Sequence, residues 1–299
     1  MAGVIRLADR YELRHVVGRG GMGRVWAARD LRSGRDVAVK TAEAHPEEAG
    51  RLRREAALAA AVDHPGVVDV HDAGHQGTTA YLVMDLLTGP DLAALLEDGP
   101  VPPAEALRIG HGVADALAAV HGAGVVHGDV KPANVVLADD SVVLVDFGIA
   151  AAPHDDAGPV TFGTAPYMAP EQVASAPMTA ASDVYALGCL LTAVLAGRPP
   201  FTGDSPTDVL HQHVRAETPR LRDLVPGVPA RLDELVTTML DKDPAARCSA
   251  VEARDALAEL RADASLPARP LRPAGATVTR LDPDATRPLL ELLEGPAAA

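Results

Sequence analysis

The densest run of side chains able to do chemistry lies between residues 127 and 148. Residues 127–134 read His-Gly-Asp-Val-Lys-Pro-Ala-Asn, and an Asp-Phe-Gly triplet follows at 146–148. Transfer of a phosphoryl group needs little covalent chemistry from a protein, because its main requirement is charges held in place around phosphate oxygens. The pattern therefore favours a site that moves a phosphoryl group.

Four polar residues of this run have a role in such a site. Asp129 would accept or orient the proton of an acceptor hydroxyl, and Lys131 would neutralise the γ-phosphate. Asn134 and Asp146 would hold the metal ions that bridge the phosphates. Taken singly, the polar residues and the glycine are also ordinary loop caps and turn residues. Chance would have to supply all of them in this order, so we interpret the set as catalytic and metal-binding.

A glycine-rich turn lies near the start of the chain, where residues 18–25 read Gly-Arg-Gly-Gly-Met-Gly-Arg-Val. Glycines allow the backbone to lie directly on phosphate oxygens, because a Cβ would hold the two apart. A hairpin without a ligand and a dinucleotide-binding fingerprint are the alternatives. The fingerprint requires a helix after the turn, whereas residues 24–30 continue as a strand. The context favours a lid over phosphates.

Lys40 ends the apolar sequence Val-Ala-Val-Lys, which predicts a strand that finishes on the lysine. A buried lysine requires an anion. Glu55, on the predicted helix that follows, could supply a carboxylate and leave Lys40 to hold the α- and β-phosphates of ATP. Glu55 could equally lie on a solvated helix face beside its arginine neighbours, and these two residues alone do not decide between the alternatives.

The elements that must position these groups change in character near residue 88. Earlier segments alternate as antiparallel strands, interrupted by one amphipathic helix, and later segments have helical periodicity. We predict an α+β fold with two lobes. Residues 1–87 form a small lobe with a five-stranded antiparallel sheet, and residues 88–262 form a larger, mainly helical lobe. Residues 263–299 are rich in proline and alanine and predict a flexible tail.

Composition excludes several classes of function. The 299 residues carry a net charge of −14, which should repel nucleic acids and anionic lipids. Cys189 and Cys248 match neither a zinc spacing nor a disulfide framework, as expected in a reducing compartment. The longest apolar run, residues 185–197, is shorter than the roughly 20 residues of a membrane span and predicts a helix buried on all sides. Without a secretory signal, we expect a cytoplasmic protein with no membrane span and no nucleic-acid partner.

From about Arg10 to Leu260 the ordered motifs resemble the eukaryotic-like serine/threonine protein kinases of bacteria. The resemblance implies transfer of the γ-phosphate of ATP, with Mg²⁺ or alternatively Mn²⁺, to serine or threonine hydroxyls of proteins in intracellular signalling. The chain itself would be one acceptor, and autophosphorylation would suit a homodimer. The resemblance also implies that Asp183 anchors the catalytic loop and that Glu171, at the end of the activation segment, pairs with Arg247.

The resemblance further implies a nucleotide site. Its adenine slot would be lined by Val25, Ala38 and Val136, which could instead be ordinary core residues. Met84 would be the gatekeeper beside the base. The residues assigned to nucleotide binding are Val17, Gly18, Arg19, Gly20, Gly21, Met22, Gly23, Val25, Ala38, Lys40, Met84, Val136 and, through their backbone groups, Asp85 and Leu87.

The sequence departs from the family at Gly128. Many members have an arginine there, which pairs with a phosphate on the activation segment. Between residues 149 and 168 the only hydroxyls belong to Thr161, Thr164 and Tyr167. Thr164 resembles the threonine that contacts the catalytic aspartate and the substrate, which leaves Thr161 as the phosphorylation site of the loop. We expect activity to depend little on phosphorylation of Thr161.

Two other functions fit parts of this pattern. His-Gly-Asp also occurs in small-molecule phosphotransferases such as aminoglycoside kinases. The Lys131-Pro132 pair and the segment 163–172, Gly-Thr-Ala-Pro-Tyr-Met-Ala-Pro-Glu-Gln, favour a protein acceptor, because in protein kinases this segment forms a shelf for peptides. A catalytically inactive scaffold is the second alternative, and the complete set of polar residues argues against it.

The tail carries Thr277, Thr279 and Thr286 among arginines and prolines. We hypothesise that they are autophosphorylated and recruit a phosphothreonine-reading partner, with an inert linker as the alternative. Related bacterial receptors continue into a membrane helix, whereas this chain ends in the tail, so we expect its signal to arise inside the cell.

Overall fold

The computed structural model divides the chain into two compact units, each with its own type of secondary structure. Among the described residues, the first contains those up to 61 and residues 68–88, and the second contains residues 62–67 and 89–262. An antiparallel sheet dominates the first and helices dominate the second, which confirms the predicted fold class. The structure describes residues 5–20, 23–43, 46–138, 140–147 and 163–262.

Several expectations concern residues outside these ranges. They include Gly21 and Met22 of the glycine-rich turn, Thr161 of the activation segment, and the whole tail at 263–299 with its threonines. These expectations stay predictions.

The sheet of the first unit has six strands in the order β1-β2-β3-β4-β6-β5, one more than predicted. The additional strand is β1, which pairs with β2 through Ile5 opposite Leu13 and Leu7 opposite Tyr11. Three residues are too few to show a period-two pattern, which is why the sequence did not indicate this strand. The strands are β1 Ile5–Leu7, β2 Tyr11–Gly20, β3 Gly23–Asp30, β4 Asp36–Glu43, β5 Val70–Gln76 and β6 Thr79–Asp85.

The prediction that a strand ends on Lys40 is wrong, since β4 continues to Glu43. The strand extends because its last residues still pair with β6, as far as Glu43 opposite Thr79. Lys40 therefore lies inside the sheet. Its backbone is fixed on both sides, by Val25 of β3 and Leu82 of β6.

Different groups pack against the two faces of the sheet. One face carries a cluster of buried side chains that includes Tyr11, Trp26 and Val39. On the other face, helix α1 (Pro46–Ala59) packs Leu52 and Ala56 against β6. Because side chains alternate along a strand, Lys40 and Val39 point to opposite faces, and Lys40 lies on the face that α1 covers.

The second unit surrounds helix α5, which is buried along nearly its whole length, as the sequence predicted. It ends at Gly197, whose φ of +72° is the left-handed conformation usual after a helix C-terminus. Helix α3 packs against α5 and α9. The helices are α2 Leu92–Leu96, α3 Pro103–Gly122, α4 Pro170–Val173, α5 Ala180–Ala196, α6 Pro206–Arg215, α7 Leu221–Leu224, α8 Ala230–Met239 and α9 Ala250–Ala262, and the two strands are β7 Val135–Ala138 and β8 Ser141–Leu144.

Among the described residues, none of the helices combines the length and the apolar character that crossing a membrane requires.

Candidate active site

Lys40 and Glu55 form a buried ion pair in the first unit. The Lys40 Nζ lies 2.8 Å from Oε1 and 3.0 Å from Oε2 of Glu55. Each side chain is 6% exposed. Glu55 follows Leu52 by one helical turn, so both lie on the face of α1 that packs on the sheet. The structure thus places Glu55 on the packed face of α1 and not on a solvated one.

The glycine-rich turn joins β2 to β3, and Gly18 pairs with Val25 across the hairpin. Gly23 has a φ of +136°, and a Cβ there would collide with the carbonyl oxygen of Thr41, so the fold itself requires this glycine. A Cβ on Gly18 would make only ordinary contact with Val25, at 3.7 Å. The packing of the described residues therefore does not explain the glycine at 18, whereas the close approach of a ligand would.

Three residues assigned to nucleotide binding, Val25, Ala38 and the gatekeeper Met84, share one face of the sheet in the first unit. Ala38 lies opposite Met84, and Val25 lies opposite Lys40, so the registers of β3, β4 and β6 place all of them on the face of Lys40. Ala38 and Met84 are buried, and Val25 is half-buried. Val136 is half-buried on β7 in the second unit, opposite Val143.

The other residues that the sequence analysis assigned to nucleotide binding lie next to this face. Val17 is exposed within β2, Asp85 is exposed at the end of β6, and Leu87 is half-buried after it. The backbone N–H of Asp85 donates to the carbonyl of Asp69 at 3.0 Å. Arg19 and Gly20 complete strand β2.

The second unit brings Asp129, Lys131 and Asn134 into direct contact. Lys131 Nζ donates to Asp129 Oδ2 at 2.7 Å. The amide nitrogen of Asn134 donates to the same oxygen at 2.9 Å and to the backbone carbonyl of Asp129 at 2.8 Å. These bonds fix the direction of the carboxylate, and they orient the Asn134 side chain by its nitrogen. Its amide oxygen therefore points away from Asp129, and this oxygen is a donor that could bind a metal ion.

Asp183, in the first turn of α5, anchors the loop that carries Asp129. Its Oδ1 accepts the N–H of Gly128 at 2.8 Å, and its Oδ2 accepts the N–H of His127, also at 2.8 Å. The implied anchoring role of Asp183 is therefore confirmed in geometry. Gly128 has a φ of +80°, a conformation that costs a residue with a Cβ about 1–2 kcal/mol, so glycine holds this turn without strain.

Sequence reasoning missed one member of this anchor, His121. Its Nε2 lies 2.8 Å from Asp183 Oδ2, so three groups converge on one buried carboxylate. His121 lies in the last turn of α3, and its position six residues before His127 was the available signal. That signal was weak, because a histidine in a last helical turn is common as a partner of the helix dipole.

Asp146 follows β8 with a φ of +57°, which is rare for a residue with a side chain. The next residue, Phe147, is buried and stacks on His127 with ring centroids 4.8 Å apart. Burial lowers the pKa of His127, so this ring is neutral. The stacked pair connects the segment of Asp146 to the loop of Asp129, and both belong to the second unit.

Thr164 and Glu171 flank the segment expected to receive a polypeptide. Thr164 Oγ1 accepts from Lys131 Nζ at 3.1 Å, so it lies beside the cluster of Asp129, Lys131 and Asn134. Glu171 pairs with Arg247 through two bonds of 2.7 and 2.8 Å, and Ser182 donates to it as well. Burial raises the pKa of Glu171, but the bonds from Arg247 and Ser182 outweigh it and leave the pKa below its ordinary value. The pair implied by the resemblance is present.

Comparison with known proteins identifies the family. The protein kinase domain model matches residues 11–257, which is most of the chain. This chain belongs to the protein kinase domain family. The match includes the glycine-rich turn, the Lys40–Glu55 pair, the Asp129 cluster and Asp146.

The chain is also similar to individual serine/threonine kinases of bacteria. The chain is 42% identical over 271 residues to serine/threonine-protein kinase PknB of Mycobacterium leprae, covering 86% of this chain and 43% of that protein. It is 43% identical over 272 residues to PknB of Mycobacterium tuberculosis, covering 86% and 42%, and 42% identical over 276 residues to PknB of Mycolicibacterium smegmatis, covering 86% and 43%. The resemblance to bacterial serine/threonine kinases is confirmed. The chain spans less than half the length of these curated relatives.

Proposed function

We propose that the chain is a serine/threonine protein kinase that transfers the γ-phosphate of ATP to hydroxyl groups of proteins. The observation that carries this proposal is the contact between Asp129, Lys131 and Asn134, with Thr164 bound to the same lysine. The family model and the bacterial relatives support it.

The catalytic loop would act on the acceptor. Asp129 accepts or orients the proton of the attacking hydroxyl, because its carboxylate is held in one direction by Lys131 and Asn134. Lys131 places its ammonium against the transferred phosphoryl group, where negative charge increases in the transition state. Thr164 is within reach of the same ammonium, so the acceptor segment and the loop share one lysine.

The first unit supplies most of the residues that we assign to the nucleotide. Lys40, kept in place by Glu55, binds the α- and β-phosphates, and the backbone near Gly18 covers them. Val25, Ala38 and Met84 supply an apolar surface for adenine. We also assign Val136 to the nucleotide. In this proposal the backbone of Asp85 and Leu87 binds the edge of the base.

Asn134 and Asp146 fit a hard divalent cation, because they offer an amide oxygen and a carboxylate, the donors that Mg²⁺ prefers. The positive φ of Asp146 and the two bonds of the Asn134 nitrogen fix both donors. Metal ions bound there would neutralise the charge of the phosphates. We propose Mg²⁺, with Mn²⁺ as an alternative.

The proposal extends to organisation and regulation. We assign residues 1–87 and 88–262 to the two lobes of the kinase and residues 263–299 to a tail that is autophosphorylated and binds a phosphothreonine-reading partner. Two copies would phosphorylate each other as a homodimer in intracellular signalling. Cys189 and Cys248 are free thiols, as is usual in a reducing compartment, which supports a cytoplasmic location.

Labelled phosphate tests the proposal. The purified chain, Asp129→Asn and the exposed control Asp98→Asn are incubated with γ-labelled ATP, Mg²⁺ and dephosphorylated casein, and modified residues are mapped. We expect label on serine and threonine with the native chain and the control, and at least a hundredfold less with Asp129→Asn. A native chain that labels neither itself nor casein contradicts the proposal. If only small molecules with hydroxyl groups accept label, the chain acts as a small-molecule phosphotransferase. If the chain binds no ATP in the presence of Mg²⁺, the inactive scaffold is favoured.

A further inference from the structure

A buried histidine lies behind the segment that follows Thr164. His213, on α6, has no exposed surface, although histidine is seldom buried completely without a specific role. Helix α6 packs against a single 3-10 turn, Ala165–Tyr167, which we call the docking turn. Helix α6 also packs against α4. Ala165, Phe201 and Val209 form an apolar cluster beside the turn.

Hydrogen bonding fixes the tautomer of His213. Its Nδ1 lies 2.8 Å from the hydroxyl oxygen of Tyr185 on α5. Burial raises the pKa of Tyr185 far above its ordinary value, so the phenol keeps its proton and donates. Burial and the nearby ammonium of Lys242 lower the pKa of His213 to about 4, so the ring is neutral at physiological pH. The ring proton therefore resides on Nε2.

That proton has no hydrogen-bond acceptor in bonding geometry among the described residues. The backbone carbonyls of Pro166 and Ala165 nevertheless lie close enough to raise the pKa of the ring. A buried donor without an acceptor costs about 1–3 kcal/mol, and such a group in a native protein calls for an explanation. A small movement of the docking turn would provide the acceptor.

The docking turn is connected directly to the catalytic cluster. Thr164 precedes it and binds Lys131, which binds Asp129. A shift of the docking turn would therefore move Thr164 and, through Lys131, the position that an acceptor hydroxyl would occupy. On its other side, Lys242 holds the backbone of His213 by donating to its carbonyl at 2.8 Å.

We propose that His213 is a positioning residue for the protein acceptor, whose Nε2–H donates to a carbonyl of the docking turn when a polypeptide binds there. This inference rests on the proposed kinase function. It assigns to His213 an effect on recognition of the acceptor and none on the binding of ATP. The contact acts through Thr164 and does not touch the transferred phosphate.

Steady-state kinetics with casein test this role. Variants His213→Phe and His213→Gln are compared with the native chain and with His211→Phe, an exposed position on the same helix. We expect His213→Phe to raise KM for casein about tenfold, the effect of losing one buried hydrogen bond. KM for ATP should stay within about twofold, and His213→Gln, which restores a donor, should recover most of the loss. His211→Phe should match the native chain.

Other outcomes overturn the inference. An unchanged KM for casein in His213→Phe contradicts the positioning role of His213. An equal change in the KM values for casein and ATP, with a lower melting temperature, also contradicts it, because that pattern shows structural damage alone. If His213→Phe does not fold, Tyr185→Phe serves instead, because it removes the hydroxyl that fixes the ring proton of His213 on Nε2. An unchanged KM for casein in that variant also contradicts the positioning role of His213. A native chain that phosphorylates no acceptor overturns the proposed function and this inference with it.

Discussion

Replacement of Asp183 by asparagine tests the anchor of the catalytic loop. The carboxylate is 1% exposed and accepts N–H groups of His127 and Gly128 and a ring nitrogen of His121. Asparagine has nearly the same shape, but one of its two polar atoms becomes an NH₂ donor. Whichever way the amide turns, a donor then meets a donor.

The magnitude follows from those bonds. Loss of one hydrogen bond to a charged group costs about 1.5–3 kcal/mol, and an unsatisfied buried donor adds about 1–3 kcal/mol. A total near 3 kcal/mol lowers the melting temperature of a domain of this size by about 6–12 °C. Because Gly128 immediately precedes Asp129, a shift of about 1 Å in the loop would also lower kcat about a hundredfold.

The assay combines thermal unfolding with turnover on casein, and Asp233→Asn is the matched control. Asp233 is a buried carboxylate on α8 that binds Arg220 and the backbone N–H of Arg222. Its replacement should lower the melting temperature and leave kcat within about twofold. An Asp183→Asn variant with the native kcat, whatever its melting temperature, refutes the argument that this carboxylate holds the catalytic loop.

Three further predictions concern other parts of the molecule. Lys40→Met removes the ammonium that binds Glu55 and that we assign to the phosphates, so transfer should fall at least a hundredfold and the thermal shift with Mg²⁺ and ATP should shrink. A native-like shift contradicts the assigned role. Thr161→Ala should retain most of the rate, because Gly128 offers no arginine to bind a loop phosphate, and a hundredfold loss in the same turnover assay would remove this hypothesis. Since the pKa of Glu171 is lowered in the fold, its stabilisation is present above the ordinary value near 4.5 and lost as pH falls through the folded value. The difference in melting temperature between native and Glu171→Gln should therefore narrow from pH 7 towards pH 3, and a constant difference would contradict the argument.

The sequence already determined the fold class and the chemistry proposed for the site. Asp129, Asn134 and Asp146 are recognisable because phosphate and metal chemistry require those side chains in a fixed order along the chain. The change from period-two to helical patterns near residue 88 likewise needs only local information. These properties are local, so a linear pattern can record them.

Pairings between distant segments required the tertiary structure. From the sequence alone, Glu55 was equally a surface residue, and only the packing of Leu52 and Ala56 on the sheet turns it towards Lys40. The convergence of His121 on Asp183 joins residues on two different helices. Strand β1 forms because its backbone pairs with the edge of β2, and its three residues are too few to show an alternating pattern in the sequence.

The tertiary structure alone also decided which polar groups are buried with a partner and which are not. Histidines 121, 127, 211 and 213 look alike in the sequence, yet one binds a carboxylate, one stacks on Phe147, one is exposed, and one keeps a buried N–H beside the docking turn. The physical reason is that the composition of the chain determines which groups can ionise or donate. The energy of each group depends on burial and on partners that only the folded chain brings together.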